Sequence, residues 1–135
     1  MDIVVLAGRI VLALFFLSSG VGHFQNTAGM AAFARSKGLP FAYAAVLISG
    51  VVLVVGAVFV GFGIWADLGA LALAAFLLLA ALTMHDFWSV EDAMERQNEQ
   101  IHFLKNIGLA GATLMLFAFF AQADGLGLTV TGPLF

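Results

Sequence analysis

Along the chain, apolar positions are not spaced at helical or strand intervals but run on almost without interruption. Four such stretches, residues 3–22, 41–63, 66–84 and 102–120, make up most of the 135 residues. At 1.5 Å rise per residue, about 20 apolar residues span a hydrocarbon core of about 30 Å. The pattern therefore predicts an all-α protein, a four-helix transmembrane bundle formed by residues 1–135 as one domain. With four spans, both chain ends fall on one side of the membrane. Loops 23–40 and 85–101 fall on the other.

The loops have patterns of their own. In the first, Asn26 or Thr27 is placed to cap a short helix that Gly38 and Pro40 end. Met30, Phe33 and Ala34 share one face of it, which predicts an interfacial helix on the headgroups. In the second, Ser89 followed by Asp92 reads as a capping box. Glu91, Asp92, Glu95 and Glu99 then give an acidic, solvated helix leading to span four. Spans two and three are separated by about two residues and form a tight hairpin. After Phe120 come three glycines, Asp124 and Pro133, a tail expected to be loose or bound to a partner. Both long loops follow a span ending in His, which hints at a two-plus-two duplication; no other repeat is apparent. The stretch up to Gly22 has signal-peptide features, but Asp2 leaves its start poorly basic, and it is read as a retained first span.

Composition narrows the function. The chain is 63% hydrophobic and 10% charged, with a mean hydropathy of +1.10. Five Lys and Arg and a net charge of −3 give no phosphate-binding patch, so nucleic acid is not an expected partner. There is no cysteine, which removes thiol exchange and thiolate ligation. Arg35, Lys37, Arg96 and Lys105 lie on the loop side and only Arg9 on the terminal side. The positive-inside rule then puts both long loops in the cytoplasm and both termini outside.

Two ionisable residues fall within spans, where charge is costly. Arg9 and Asp67 lie near the starts of spans one and three, at similar depth. They read either as an intramembrane ion pair or as a snorkelling Arg9 with a helix-capping Asp67. Arg9 and His23, fourteen residues apart, return to within about 40° of one helix face. Asp67 and His85, eighteen apart, are almost in register. Each of these helices thus carries a charge at one end and an imidazole at the other, and a four-helix bundle sets them diagonally across the core. Span four opens with His102, Lys105 and Asn106 at i, i+3 and i+4.

With Gln25, Asp86, Trp88, Gln97 and Gln100, these residues are expected to surround the loop-side mouth. Ordinary interfacial belt residues are one reading of them. A pocket for a quinone-like headgroup, with His donating to a carbonyl and Phe87 and Trp88 flanking the ring, is another. Three histidines and a carboxylate holding a divalent metal is the third. The ligand set taken forward is His23, His85, Asp86, Trp88, His102, Lys105 and Asn106, with no metal assigned. No nucleophile–base arrangement appears: Ser18 and Ser19 lie near His23 without an orienting acid. Small-residue pairs, Gly108 with Ala112 and Ala70 with Ala74, suit close helix approach inside the bundle or in a homo-oligomer.

Several of these segments together resemble the DoxX family of small bacterial and archaeal four-span membrane proteins. They are Gly8-Arg9-Ile10, Ser19-Gly20-Val21-Gly22-His23 and Lys37-Gly38-Leu39-Pro40. Further on come His85-Asp86-Phe87-Trp88, then Gln100 to Asn106 and Gly108 to Gly111. The resemblance runs from residue 8 to about 117. Two features depart from it. Val52 to Gly56 stands where a Glu-Leu-x-Gly-Gly-like turn is usual, so an intramembrane carboxylate is missing. Ile64-Trp65-Ala66 replaces a basic residue after span two.

The resemblance implies a bacterial inner-membrane protein linked to respiratory or sulfur redox chemistry, with a redox enzyme as partner. Three functions fit the sequence. The first is a membrane subunit of a quinone-linked oxidoreductase system. A non-catalytic scaffold docking a partner through residues 89–100 and the tail is the second. The third is a small-solute carrier, for which only Arg9 and Asp67 line the deeper bundle.

Overall fold

A computed structural model describes residues 1–123 and 127–135. Asp124 and Gly125, assigned above to the tail, lie outside the described residues. Five α-helices follow one another: α1 Asp2–Gln25, α2 Thr27–Ser36, α3 Ala42–Phe62, α4 Ala66–Met84 and α5 Ala93–Gln122. A 3₁₀ turn at Phe87–Ser89 lies between the last two. Helices α1, α3, α4 and α5 are each long and apolar enough to cross a membrane. The four-helix membrane bundle read from hydropathy is what the chain forms.

The bundle is apolar outside as well as inside. Val11 and Leu14 on α1, Ile48 on α3 and Leu79 on α4 are all more than half exposed. In a bilayer that surface meets acyl chains, which leaves van der Waals packing rather than water exclusion to hold the helices together. The contacts are accordingly built on small residues. Helix α1 packs along α3, α3 along α4 and α4 along α5, so α1 and α4 stand diagonally. A Cβ on Gly69 would lie 2.6 Å from Phe59 Cβ and 3.1 Å from Gly56 O. One on Gly20 would lie 2.8 Å from Val54 Cγ2. Between these approaches Phe16, Leu53, Val60, Leu73 and Leu77 form the core, with Ala57, Ala70 and Ala110. Of the two small-residue pairs, Ala70 and Ala74 are buried in this packing. Gly108 faces outward with open space around it.

Three local expectations need correction. The acidic helix and span four are one 30-residue helix, α5. At about 45 Å it is longer than the apolar core and projects from the loop side. Its cap is Asp92 alone, whose carboxylate accepts from the amides of Met94 (3.0 Å) and Glu95 (2.9 Å). Ser89 instead bonds to the Asp86 carbonyl at 2.8 Å. At α2, Asn26 occupies the N-cap position without a side-chain cap bond. The Thr27 hydroxyl turns back to His23 O at 2.7 Å. The buried face of α2 is Thr27, Ala31 and Ala34, not the Phe33 face. Alanines let the helix lie close against Ala42 and Val46 of α3, with Met30 packing at the edge.

The tail is the third correction. Residues 127–135 are not loose but lie across the terminal side of the bundle. Val130 N donates to Phe62 O (3.3 Å) and Gly63 O (3.1 Å), and Thr131 N to Gly63 O (3.0 Å). Trp65 N donates to Thr131 Oγ1 at 2.8 Å. The Phe135 ring meets Phe117 edge-on at 6.1 Å. Gly63 is what lets α3 end beneath this strap. It has φ +68°, and a Cβ there would lie 2.6 Å from Arg9 Nη2 and 2.7 Å from Thr129 Cγ2.

Two glycine variants test the packing. Gly69→Val forces Cβ into the Phe59–Gly56 contact and should destabilise the bundle by about 1–3 kcal/mol, the usual cost of overpacking. Gly108→Val meets nothing and should stay within about 0.5 kcal/mol of the parent. Reversible unfolding in mixed micelles measures both; equal effects would mean that α3 and α4 do not approach as described.

Candidate functional sites at the two ends of the bundle

The terminal end holds the two charges that lie inside spans. Arg9 is 2% exposed and Asp67 fully buried. They do not pair with each other, and neither snorkels. Arg9 Nε donates to Val60 O at 2.9 Å, Nη2 to Gly61 O at 3.0 Å and Nη1 to Leu128 O at 3.0 Å. Its guanidinium carbon lies 6.0 Å from the centre of the Phe120 ring, across the seam between α1 and α5. Asp67 Oδ2 accepts from the amides of Leu134 (2.7 Å) and Phe135 (2.8 Å). Oδ1 is buried with no hydrogen-bond partner among the described residues. Backbone groups have displaced the ion pair because they are already fixed at the right depth. The end of a helix offers carbonyls to a cation, and consecutive amides of an extended tail cradle a carboxylate oxygen.

At the loop end the expected ligand set divides into three. His23 is separate: its Nδ1 is 2.8 Å from Ser49 Oγ and 3.3 Å from Val46 O, and its ring is edge-on to Phe76. Ser49 gives its hydroxyl hydrogen to Val46 O at 2.9 Å. His23 Nδ1–H therefore donates to Ser49, which ties α1 to α3.

The second group is built on His85 and His102. Their rings stack at 5.2 Å between centres with planes 21° apart. His85 Nδ1 is 2.8 Å from Glu99 Oε2. A carboxylate only accepts, so this nitrogen carries a proton, and in the neutral ring Nε2 is left as an acceptor. His102 Nδ1 is 3.3 Å from Lys105 Nζ. An ammonium only donates, so His102 accepts at Nδ1 and carries its proton on Nε2. The two stacked rings thus have opposite polarity, one spare acceptor beside one spare donor. Asn106 is buried one turn further in, on the α5 face that also buries Ala110 and Thr113. Lys105 is exposed.

The third group holds Asp86 and Trp88. Asp86 pairs with Lys37 from the first loop through Oδ1 and with the Ser89 hydroxyl through Oδ2. Trp88, Phe87 and Phe103 form a mutual edge-to-face cluster with centres 5.2–5.7 Å apart. A cleft of about 370 Å³ opens beside Asp86 and Trp88. Among the described residues no three His, Asp or Glu side chains converge to hold a metal.

Sequence reasoning missed Glu99 as the partner of His85, placing it only in a solvated acidic helix. The signal was there, since Glu99 and His102 are three apart on one helix face. Ser49, Lys37 and the tail backbone were missed as well. No local spacing joins them to His23, Asp86, Arg9 or Asp67.

Comparison with known protein families then decides what this bundle is. The DoxX family model matches residues 4–86, well over half of the chain. The chain belongs to the DoxX family. The matched region holds Arg9, His23, Lys37, Asp67, His85 and Asp86, whereas Glu99, His102 and Lys105 lie beyond it. Comparison with curated proteins and with solved structures returns no significant match.

Arg9 and Asp67 should respond unequally to substitution, unlike the members of an ion pair. Arg9→Ala abandons three carbonyls and should cost about 2–4 kcal/mol. Lysine, a point donor, should restore only part of it. Asp67→Asn keeps an oxygen for the tail amides and should cost under about 1 kcal/mol. Chemical unfolding of the three variants in detergent gives the ranking; equal losses at both sites would restore the ion pair.

The Lys37–Asp86 tether should depend on pH. The Asp86 carboxyl, beyond the end of α4, is held below the usual carboxylate range by its bonds to Lys37 and Ser89. Its contribution is complete above the ordinary aspartate value of about 3.9 and is lost as pH falls through the lower folded value. Thermal melts from neutral pH down to about pH 3 should show an acid decline that Asp86→Asn reduces.

Proposed function

We propose that this DoxX-family chain is a membrane subunit of a quinone-linked oxidoreductase system and binds a quinone-like headgroup at the loop-side mouth. The observation that carries the reading is the stacked His85–His102 pair. One ring has a donor to spare for a quinone carbonyl and the other an acceptor for a hydroquinone hydroxyl, so the pair suits both forms. The apolar tail of a quinone would lie in the bilayer beside the bundle, and the Phe87, Trp88 and Phe103 cluster offers its ring a flat apolar neighbour. Glu99 and Lys105 set the two tautomers and so act as positioning residues. His23, turned to Ser49, is not part of this arrangement. Electrons would come from a partner enzyme, in keeping with the redox association of the family the sequence resembles.

We also place the protein in a bacterial inner membrane with its loops in the cytoplasm. Arg9 is buried, so the terminal side adds almost nothing to oppose the loop-side Arg35, Lys37, Arg96 and Lys105.

A second reading, a scaffold for a partner protein, is favoured by the projecting start of α5. Residues 91–98 are all exposed and carry Glu91, Asp92 and Glu95. One experiment separates the two. The chain has two tryptophans, so Trp65→Phe leaves Trp88 as the only reporter near the histidines. A short-chain ubiquinone or menaquinone analogue should quench its fluorescence saturably. His102→Ala should weaken binding by about tenfold, the loss of one good hydrogen bond. Quenching that is unsaturable, or equal in the His85→Ala and His102→Ala variants and the parent, would leave the scaffold reading in place.

A further inference from the structure

The cleft beside Asp86 lies outside the histidine pair and has a chemistry of its own. Lys37, Asp86 and Trp88 line it, with Leu39, Leu82 and Met84 as its apolar walls. Lys37 and Asp86 are paired but not sealed, their side chains being 17% and 26% exposed. The ammonium has three N–H groups and each carboxylate oxygen two acceptor sites, so both retain capacity after bonding each other. The cleft therefore presents one positive and one negative charge side by side, with no net charge between them. One of its apolar walls belongs to the outer, lipid-facing surface of α4. Leu82, a wall of the cleft, is 57% exposed, and Leu79, one turn deeper on α4, is 63% exposed. An apolar track thus leads from the depth of the membrane up to an ion pair at its surface.

We propose that this cleft is a binding site for a membrane phospholipid with a zwitterionic, primary-amine headgroup. The phosphate bonds to Lys37 and the ammonium to Asp86. The acyl chain follows Leu79 and Leu82, and Trp88 covers the glycerol region, where its amphipathic ring is at home. The charge arrangement selects the headgroup. An anionic lipid satisfies Lys37 but sets its phosphate beside Asp86 without compensation. A choline headgroup has the right charges but no N–H to give the carboxylate. A free phosphoamine lacks the chain that the leucine track holds. A lipid bound here would hold the first loop against the end of α4 and support the turn that orients His85. The inference does not rest on quinone binding, since none of the contacts involves the histidines.

Native mass spectrometry of the full chain in detergent tests it, with phosphatidyl-ethanolamine, -choline and -glycerol of matched acyl chains. One ethanolamine lipid should be retained, preferred over the choline lipid by about tenfold, the worth of one charge-assisted hydrogen bond. A series of N-methylated ethanolamine lipids needs no variant. Retention should persist while one N–H remains and fall at the trimethyl form. Lys37→Gln with Asp86→Asn keeps the shape and should bring the ethanolamine-to-choline ratio close to one. Equal retention of ethanolamine and choline lipids, preference for the glycerol lipid, or an unchanged ratio in the neutral variant would each overturn the proposal. Competition by soluble glycerophosphoethanolamine as effective as by the lipid would overturn the assignment to a membrane lipid.

Discussion

A helix that ends inside a membrane protein must find partners for its last carbonyls without water, and the end of α3 shows how the rest of the terminal side follows from that need. Phe59 O is taken by the amides of Gly63 and Ile64 in a left-handed turn. Val60 O and Gly61 O are taken by Arg9. Phe62 O and Gly63 O are taken by Val130 and Thr131 of the tail. Every carbonyl from Phe59 to Gly63 is accounted for. The partners come from three parts of the chain, which locks α1, the α3–α4 turn and the tail together. A cation at this point also meets the negative end of the α3 dipole. Arg9 is therefore held by a helix terminus, and needs no carboxylate for a partner.

Asp67 is the complement of the same solution. It begins α4 where the tail arrives, and accepts from the tail amides of Leu134 and Phe135. Each intramembrane charge thus satisfies backbone, and the tail is the common partner of both. The arrangement fastens the tail to the terminal end, where a cavity of about 270 Å³ remains between the tail, Ala66 and Phe120. Substituting Gly63 with any larger residue would disturb it twice, through the left-handed turn and through the contact with Arg9.

How far the sequence could show this depends on the range of each interaction. The spans were legible because each is a local run of apolar residues, and their ends lie within a few residues of the helix ends except at span four, whose helix begins at Ala93 rather than at residue 102. The depth of Arg9 and Asp67 was legible too, since it is a matter of counting residues from a helix end. Their partners were not. Two opposite charges at one depth suggest a pair, but main-chain carbonyls and amides carry no sequence label, and they reached both charges first. The tail misled for a related reason. Glycines and a proline suit an irregular segment, and composition does not distinguish an irregular segment that is loose from one fastened by its backbone. On the loop side, Glu99 was half legible through its spacing from His102. Lys37 with Asp86 and His23 with Ser49 join distant parts of the chain and left no local trace.

The two ends of the bundle are consequently unlike in a way that bears on function. At the terminal end, Arg9 and Asp67 are bonded to backbone, and among the described residues the one buried side-chain atom without a partner, Asp67 Oδ1, is sealed from solvent. At the loop end, side chains satisfy one another only in part. His85 and His102 each commit one ring nitrogen and leave the other without a partner among the described residues, and Lys37 and Asp86 remain partly exposed around an open cleft. A membrane protein that binds a polar headgroup needs unspent hydrogen bonds at the depth where headgroups lie, on a frame that does not move when the ligand leaves. Here the end fastened by the tail supplies the frame, and the chemistry is left to the loop end.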